Sequence, residues 1–297
     1  MPRSISTLCS LLGYSRQALY QGQQQLQQQA YKEELLVQQV LLIRSRQKRL
    51  GGRKLLGLLG AFLKEHDICI GRDAFFDLLC KNKLLIRRRK RSKPATTNSF
   101  HHYRKYKNLV KDFIPTAANQ LWVSDITYIC LTECFAYLSL ITDAYSRKIV
   151  GYCLYRTLEA EGSIGALKMA VQTLTVKHKV IHHSDRGIQY CCNEYINLLT
   201  KHSCAISMTE NGDPLENAIA ERVNGILKQE LLEQQYPCFE VAQIQVAEAI
   251  KIYNEQRPHS SISYLTPTEA HVYTGALERK WKNYYKPKQK EVSMATP

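Results

Sequence analysis

The pattern of apolar and polar positions divides the 297-residue chain into a helical front and an alternating back. Near the start, Ile5, Leu8, Leu11 and Leu12 recur at helical spacing, with Ser4 as a candidate cap. Gly13 breaks the pattern, and Ser15 can cap a second helix beginning RQALY. The outline is a helix-turn-helix. Residues 21–29 are Gln-rich and fit either a solvated helix or a linker. A second helical group covers 33–86. It comprises an apolar helix over 35–42, a break at Gly51-Gly52, a helix over 53–65 and a third in RDAFFDLLCKNKLL. Residues 92–114 are polar and basic with little periodicity and read as a linker. At Pro115 the period changes. LWVSDITYI alternates, and CFAYLSLIT and KIVGYCLY follow across turn-length gaps, predicting an antiparallel meander. Helix, strand, helix and strand then alternate through LEAEGSIGALKMAVQTL, VIHHSD, NEYINLLTKH and CAISMT. A long helix in GDPLENAIAERVNGILKQELL comes next, and a last one, VAQIQVAEAIKIYNEQ, is stopped by Arg257-Pro258. The expected class is α/β, a mixed sheet with helices on its faces behind an all-α region.

Composition adds little to this; the distribution of charge adds more. Apolar residues make up 44% of the chain, enough for a packed core and too much for wholesale disorder. No apolar run is long enough to span a membrane, and the N-terminus lacks a signal-peptide stretch, so the expected compartment is the cytoplasm. Residues 1–114 hold 23 Lys+Arg against 7 Asp+Glu, a net +16, whereas residues 115–297 hold 18 against 19. Such asymmetry points to a polyanion handled by the front, nucleic acid before a membrane surface. Two basic clusters, 44–54 with Arg53 and Lys54, and 87–93 with Arg87, Arg88, Arg89, Lys90 and Arg91, flank helices of one unit as a backbone-contacting arm would. The tail over 279–290 adds six Lys/Arg. The ten cysteines form no CxxC pair and mostly lie in apolar stretches, which reads as buried thiols.

The chemistry lies with the carboxylates. Asp125 interrupts an alternating strand, sharing a face with Leu121, Val123, Thr127 and Ile129. An ionised carboxylate there is costly unless paired or bound to metal; the alternative is an edge strand with a wet Asp. Asp185 follows an apolar strand and precedes a turn, a position suited to a site and equally to a plain turn Asp. Glu221 lies off the apolar arc of the long helix. Lys228, seven residues on, falls within about 20° of it, with Asn224 on the same side. Asp213, Pro214 and Glu216 resemble a helix cap, Asn217 is an alternative cap, and nothing singles out Glu230. Asp143 suits a turn cap. Three carboxylates from two strands and a helix can hold two Mg²⁺ or Mn²⁺ ions about 3.5–4 Å apart, the arrangement for phosphodiester chemistry. His182, His183, Cys191 and Cys192 sit at spacings that do not suit a usual zinc module.

Between Asp125 and Asp185 lie 59 residues, and between Asp185 and Glu221 lie 35. This spacing resembles the acidic triad of retroviral integrases and DDE transposases. LWVSDITYI, YLSLITDAYSRKIVGY, IHHSDRGIQY, NGDPLENAIAERVNGILKQEL and YNEQRPHSSISYLTPTEAH resemble successive motifs of bacterial insertion-sequence transposases of the second-reading-frame (OrfB) type. LLGYSRQALY and GGRKL with IGRDAFFDLL resemble that family's helix-turn-helix segments, so the resemblance spans nearly the whole chain. It implies a ribonuclease H-like, retroviral integrase-type core over 115–235. Before it would come a helix-turn-helix-like segment over 1–30, a DNA-binding helical region over 31–91 and a basic linker over 92–114. A C-terminal helix and basic tail over 236–297 would follow. It further implies Asp125 bridging two ions, Asp185 and Glu221 each holding one, and Lys228 contacting DNA near the terminal phosphate. The implied reaction cuts insertion-sequence ends with water and joins the freed 3′-OH to another phosphodiester. The implied partners are double-stranded DNA, a second copy of the chain on that DNA, and an upstream-frame helix-turn-helix protein or fusion. Two rivals remain at this level: a DNA-binding regulator with an inactive core, and a metal-dependent nuclease that does not join.

Overall fold

The structure, a computed structural model, describes residues 5–86, 102–111, 113–174, 179–210 and 217–280. Chain contacts divide the protein into two compact units, Met1–Arg91 and Ser92–Pro297.

The first unit is helical: α1 (Ile5–Leu11), α2 (Arg16–Arg46), α3 (Gly52–Leu58), α4 (Gly60–Glu65) and α5 (Arg72–Lys81). Gly13 takes a left-handed φ of 73° between α1 and α2, where a residue with a Cβ would be strained. Ser15 caps α2, its Oγ accepting from the Ala18 amide at 3.0 Å. The Gln-rich stretch is helix, not linker: α2 runs 31 residues without a break. Glutamine is a good helix former, and Gly22 alone does not offset the run around it. The helix expected over 53–65 is divided at Leu59, between Gly57 and Gly60, into α3 and α4. The core draws Leu36 and Val40 from α2, Leu55 from α3, and Phe75, Leu78 and Leu79 from α5. Arg44, in the first basic cluster, is spent internally: its guanidinium donates to the carbonyls of Leu84 at 2.5 Å and Leu50 at 3.2 Å.

The second unit is built on a five-stranded sheet in the order β3-β2-β1-β4-β5. The strands are β1 (Leu121–Cys130), β2 (Phe135–Asp143), β3 (Ile149–Tyr155), β4 (Ile181–Ser184) and β5 (Ala205–Met208). β1, β2 and β3 form the expected antiparallel meander, while β4 pairs parallel to both β1 and β5. This is a ribonuclease H-like sheet of the retroviral integrase type. β1 is central, so Asp125 is not on an edge strand.

Helices cover both faces. On one, α6 (Ala160–Gln172) and α8 (Asn193–Lys201), preceded by the short α7 (Ile188–Cys191), bury Trp122, Ile141 and Val150 against Leu167, Tyr195 and Leu199. A Cβ on Gly151 would lie 2.2 Å from the Ala166 carbonyl, so β3 and α6 can approach this closely only through glycine. On the other face, α9 (Ala218–Ile226) and α10 (Phe239–Glu255) bury Leu138 and Leu140 against Val223, Ile226, Val246 and Ile250. α10 therefore belongs to the same core as the sheet, with no break in packing at residue 235. The short α11 (Pro267–Val272) carries a capping box made by Thr266 and Glu269. Part of the expected linker also docks on the sheet, where the Leu109 amide donates to Ser207 Oγ at 2.9 Å.

The long helix expected over 212–232 is not uniform. α9 gives way to a π turn over Leu227–Leu231, closed by the Leu232 amide on the Leu227 carbonyl at 2.8 Å. Asn217 stands at the N-cap position; Asp213, Pro214 and Glu216 lie outside the described residues.

Candidate active site

The parallel pair of β1 and β4 is short, and its end makes the site. Its register runs Leu121 with Ile181, Trp122 with His182 and Val123 with His183. Asp125 and Asp185 each lie two residues beyond the last pair, so the register sets them opposite one another where the strands part. β1 has an antiparallel neighbour on one side and a parallel one on the other, the switch-point geometry at which sheets open crevices. A cleft of about 20 Å³, room for a water-sized occupant, is lined there by Asp125, Asp185, Tyr128, Leu158, Gln189 and Tyr190 among others.

Both acids are held by local geometry. Asp125 Oδ1 accepts from the Ile126 amide at 2.9 Å and Oδ2 from Asn224 Nδ2 at 2.7 Å. Asp185 Oδ1 accepts from the Gly187 amide at 3.0 Å, an Asx turn. A Cβ on Gly187 would sit 3.0 Å from that same oxygen, so glycine keeps the turn open beside the carboxylate. Burial raises the Asp125 pKa to about 7. The charge of Asp185 adds to the rise and that of Glu221 adds less, while the bonds from Asn224 and Ile126 oppose it.

The helix over the site is tied to β1 at two points. Asn217 Nδ2 donates to the Ser124 carbonyl at 2.9 Å, and Asn224 reaches Asp125 itself. Asn224 thus touches the cleft acid directly, where the sequence shows it only on the same side of the helix as Glu221; the signal for it is its spacing, three residues after Glu221 and four before Lys228. Glu221 is exposed on α9. Lys228 is half-buried in the π turn; burial lowers its pKa and the Asp125 charge opposes this.

Two carboxylates facing a cleft, with the charge of Asp185 raising the cost of ionising Asp125, are the hard oxygen donors that Mg²⁺ or Mn²⁺ prefers. Asp125 and Asp185 fit such an ion. Glu221 joins them through its charge only: among the described residues no group of three His, Cys, Asp or Glu side chains is close enough to hold a metal. The other candidates are scattered. Arg53 is exposed and Lys54 half-buried on α3 of the first unit, and Arg87, Arg88, Arg89, Lys90 and Arg91 lie outside the described residues. His182 Nε2 meets Ser124 Oγ at 2.7 Å and Tyr195 OH at 2.9 Å, and His183 Nδ1 meets Ser207 Oγ at 2.8 Å. Asp143 is buried at the end of β2, accepting from the Ser146 amide, the Ser146 hydroxyl and the Asn119 amide, each at 2.7 Å.

A family profile described as Integrase core domain matches residues 115–214, and a second of the same description matches 202–267. The chain is 33% identical over 265 residues to the "Insertion element IS600 uncharacterized 31 kDa protein" of Shigella sonnei, covering 88% of this chain and 96% of that one. The chain belongs to the insertion-sequence transposase family, with an integrase-type core. A "Putative transposase for insertion sequence element IS986/IS6110" of Mycobacterium tuberculosis H37Rv is 33% identical over 165 residues, 53% of this chain and 59% of that protein. Among solved structures, the catalytic core domain of the HTLV-2 integrase in complex with magnesium matches 52% of this chain and 97% of that chain, at 18% identity and a TM-score of 0.42. In this transposase the family match spans the sheet, the carboxylate cleft and α10 together, in keeping with their shared core. No described helix is long and apolar enough to cross a membrane.

Proposed function

We propose that this transposase binds the ends of its insertion sequence and carries out metal-dependent strand cleavage followed by transfer of the freed 3′-OH to target DNA. The observation that carries the reading is the β1/β4 register, which brings Asp125 and Asp185 face to face beneath the helix bearing Glu221, Asn224 and Lys228. Asp125 and Asp185 would hold the divalent ions, Glu221 would complete the set only on moving closer to them, and Asn224 would keep the Asp125 carboxylate turned toward the cleft. Two such ions, when bound, would activate the attacking oxygen and neutralise charge at the phosphorus. Lys228 would contact the DNA phosphate next to the scissile bond. Water attacks first and the DNA 3′-OH second, so no covalent protein–DNA bond forms. Arg53, Lys54 and the basic run over 87–91 would hold the DNA backbone, with two or more copies of the chain assembling on the ends. An upstream-frame helix-turn-helix protein or fusion would add further end contacts.

Labelled insertion-sequence ends, incubated with the full chain and Mg²⁺, test the proposal. Nicked ends and joined products are expected, and neither from Asp125→Ala. Cleavage without joining would turn the reading to a nuclease, and binding without cleavage to a regulator with an inactive core. End affinity should fall with salt at a log–log slope of about 0.9 per phosphate neutralised; a flat response overturns the role of the basic residues.

A further inference from the structure

We propose that Arg257 is a positioning residue for the strand-cleavage reaction: through its bidentate bond to Glu230 it holds the π turn, and with it the place of Lys228 within that turn. The inference rests on the function proposed above and adds a residue 27 positions from the turn it controls.

A π turn is a rare departure from the α-helix and is found disproportionately at functional sites, because the extra residue rotates everything after it. Here the turn over Leu227–Leu231 directly follows the α9 turn that bears Asn224, the Asp125 partner. Lys228 lies inside it, within reach of the Asp125 charge. The placement of that ammonium therefore depends on the register of the π turn, and something must hold the register.

Glu230 lies two residues after Lys228 in the same turn. Its two oxygens accept from Arg257 Nε and Nη2, each at 2.9 Å. The remaining guanidinium nitrogen, Nη1, donates to His259 Nε2 at 2.8 Å. His259 is fixed in turn by its amide on the Leu265 carbonyl at 3.0 Å and by an edge contact with the Tyr253 ring at 4.9 Å between centroids. Arg257 is 1% exposed. Only a planar fork makes this set of bonds, and a lysine at the same place would not.

Attachment of α10 does not require the ion pair, since Val246, Ile250 and Tyr253 already bury against the sheet and π turn. A buried pair contributes little net stability compared with apolar packing; its best-attested use is to fix one register against others. A second consequence is electrostatic. With Glu230 neutralised by Arg257, the acid nearest to Lys228 in sequence does not draw the ammonium away from Asp125.

The test uses the full chain with Arg257→Lys, Glu230→Gln, Lys228→Ala and the double variant Arg257→Lys with Lys228→Ala. Single-turnover cleavage of labelled ends at saturating DNA is measured in Mg²⁺, alongside the rate at which an amine-reactive reagent modifies Lys228, read by mass spectrometry. Arg257→Lys is expected to slow cleavage about 10-fold, and the double variant to be no slower than Lys228→Ala alone within about 2-fold, because the two residues act through one step. Lys228 should be modified several-fold faster in Arg257→Lys and in Glu230→Gln, other lysines being unchanged. Independent, multiplying losses in the double variant, or unchanged Lys228 labelling in both single variants, would overturn the assignment. Should Arg257→Lys fail to fold, Glu230→Gln, alone and combined with Lys228→Ala, decides through the same two readouts. If the wild type does not cleave, the proposed function fails, while the labelling rates still decide the clamp.

Discussion

The two units solve different physical problems. The helical unit closes over an apolar cluster of Leu, Val and Phe, and among its described residues no Lys, Arg, Asp or Glu is fully buried, Arg44 being half-buried. The sheet unit buries polar groups throughout: Ser124 with His182 and Tyr195, Asp143 with Ser146, and Glu230 with the fully enclosed Arg257. Apolar packing tolerates small shifts, and a basic surface binds phosphates through a long-range, salt-sensitive field. The reaction proposed for the cleft would tolerate no such shift, since oxygens misplaced by about 1 Å lose much of the rate. Satisfied buried hydrogen bonds specify one arrangement and penalise the rest, and they belong to the unit that carries the cleft.

The sharpest way to break this comparison is at the cleft. Asp125→Asn keeps the size of the side chain, and a flip of the Asn224 amide lets its unpartnered Oδ1 accept from the new NH2, so the unit should fold, yet end cleavage should fall by at least about 10³-fold. Retention of cleavage would remove Asp125 from the chemistry. Next in size are the cores. Phe75→Ala should cost about 3–5 kcal/mol and Leu138→Ala about 2–5 kcal/mol. By calorimetry, the first should lower only the helical unit's transition and weaken end binding; the second should lower only that of the sheet unit. A single transition displaced by either substitution would show that the units are not energetically separate.

A smaller effect follows from the Asp125 pKa of about 7, raised by burial first and by Asp185 next. A carboxyl with a raised folded-state pKa binds more protons folded than unfolded, so it loses stability as pH rises. The metal-free sheet unit should therefore lose melting temperature between about pH 4 and pH 7, and Asp125→Asn should flatten that part of the profile. Added Mg²⁺ should restore stability above pH 7 by mass action. A melting temperature that rises across the same window would contradict the crowding of acids at the cleft. The smallest expected change is at α2: Ser15→Ala should cost about 1 kcal/mol, confined to the helical transition.

Much of this arrangement is legible along the chain. The period-2 run around Asp125, the helix stop at Arg257-Pro258, the turn at Gly13 and the Ser15 cap are local signals, and the structure follows them. Other features were misread or missed for identifiable reasons. The Gln-rich stretch carried no apolar period to separate helix from linker, and intrinsic propensity decided it. Arg44 belonged to a basic cluster in sequence and became an internal peg because α2 turns it toward the carbonyls of Leu50 and Leu84. Glu230 had no local context to single it out, since its partner comes from beyond α10.

The sequence alone determined the type of most elements and which carboxylates are candidates for the site, because periodicity and residue chemistry are properties of neighbours along the chain. Only the tertiary structure decided that Asp125 lies on a central strand, that the short β1/β4 register sets it against Asp185, and that Lys228 lies in a π turn directly after α9. Those outcomes depend on how strands pair and on what a distant guanidinium grips. Both are non-local, and both are settled by which arrangement pairs the strands and the buried polar groups best together.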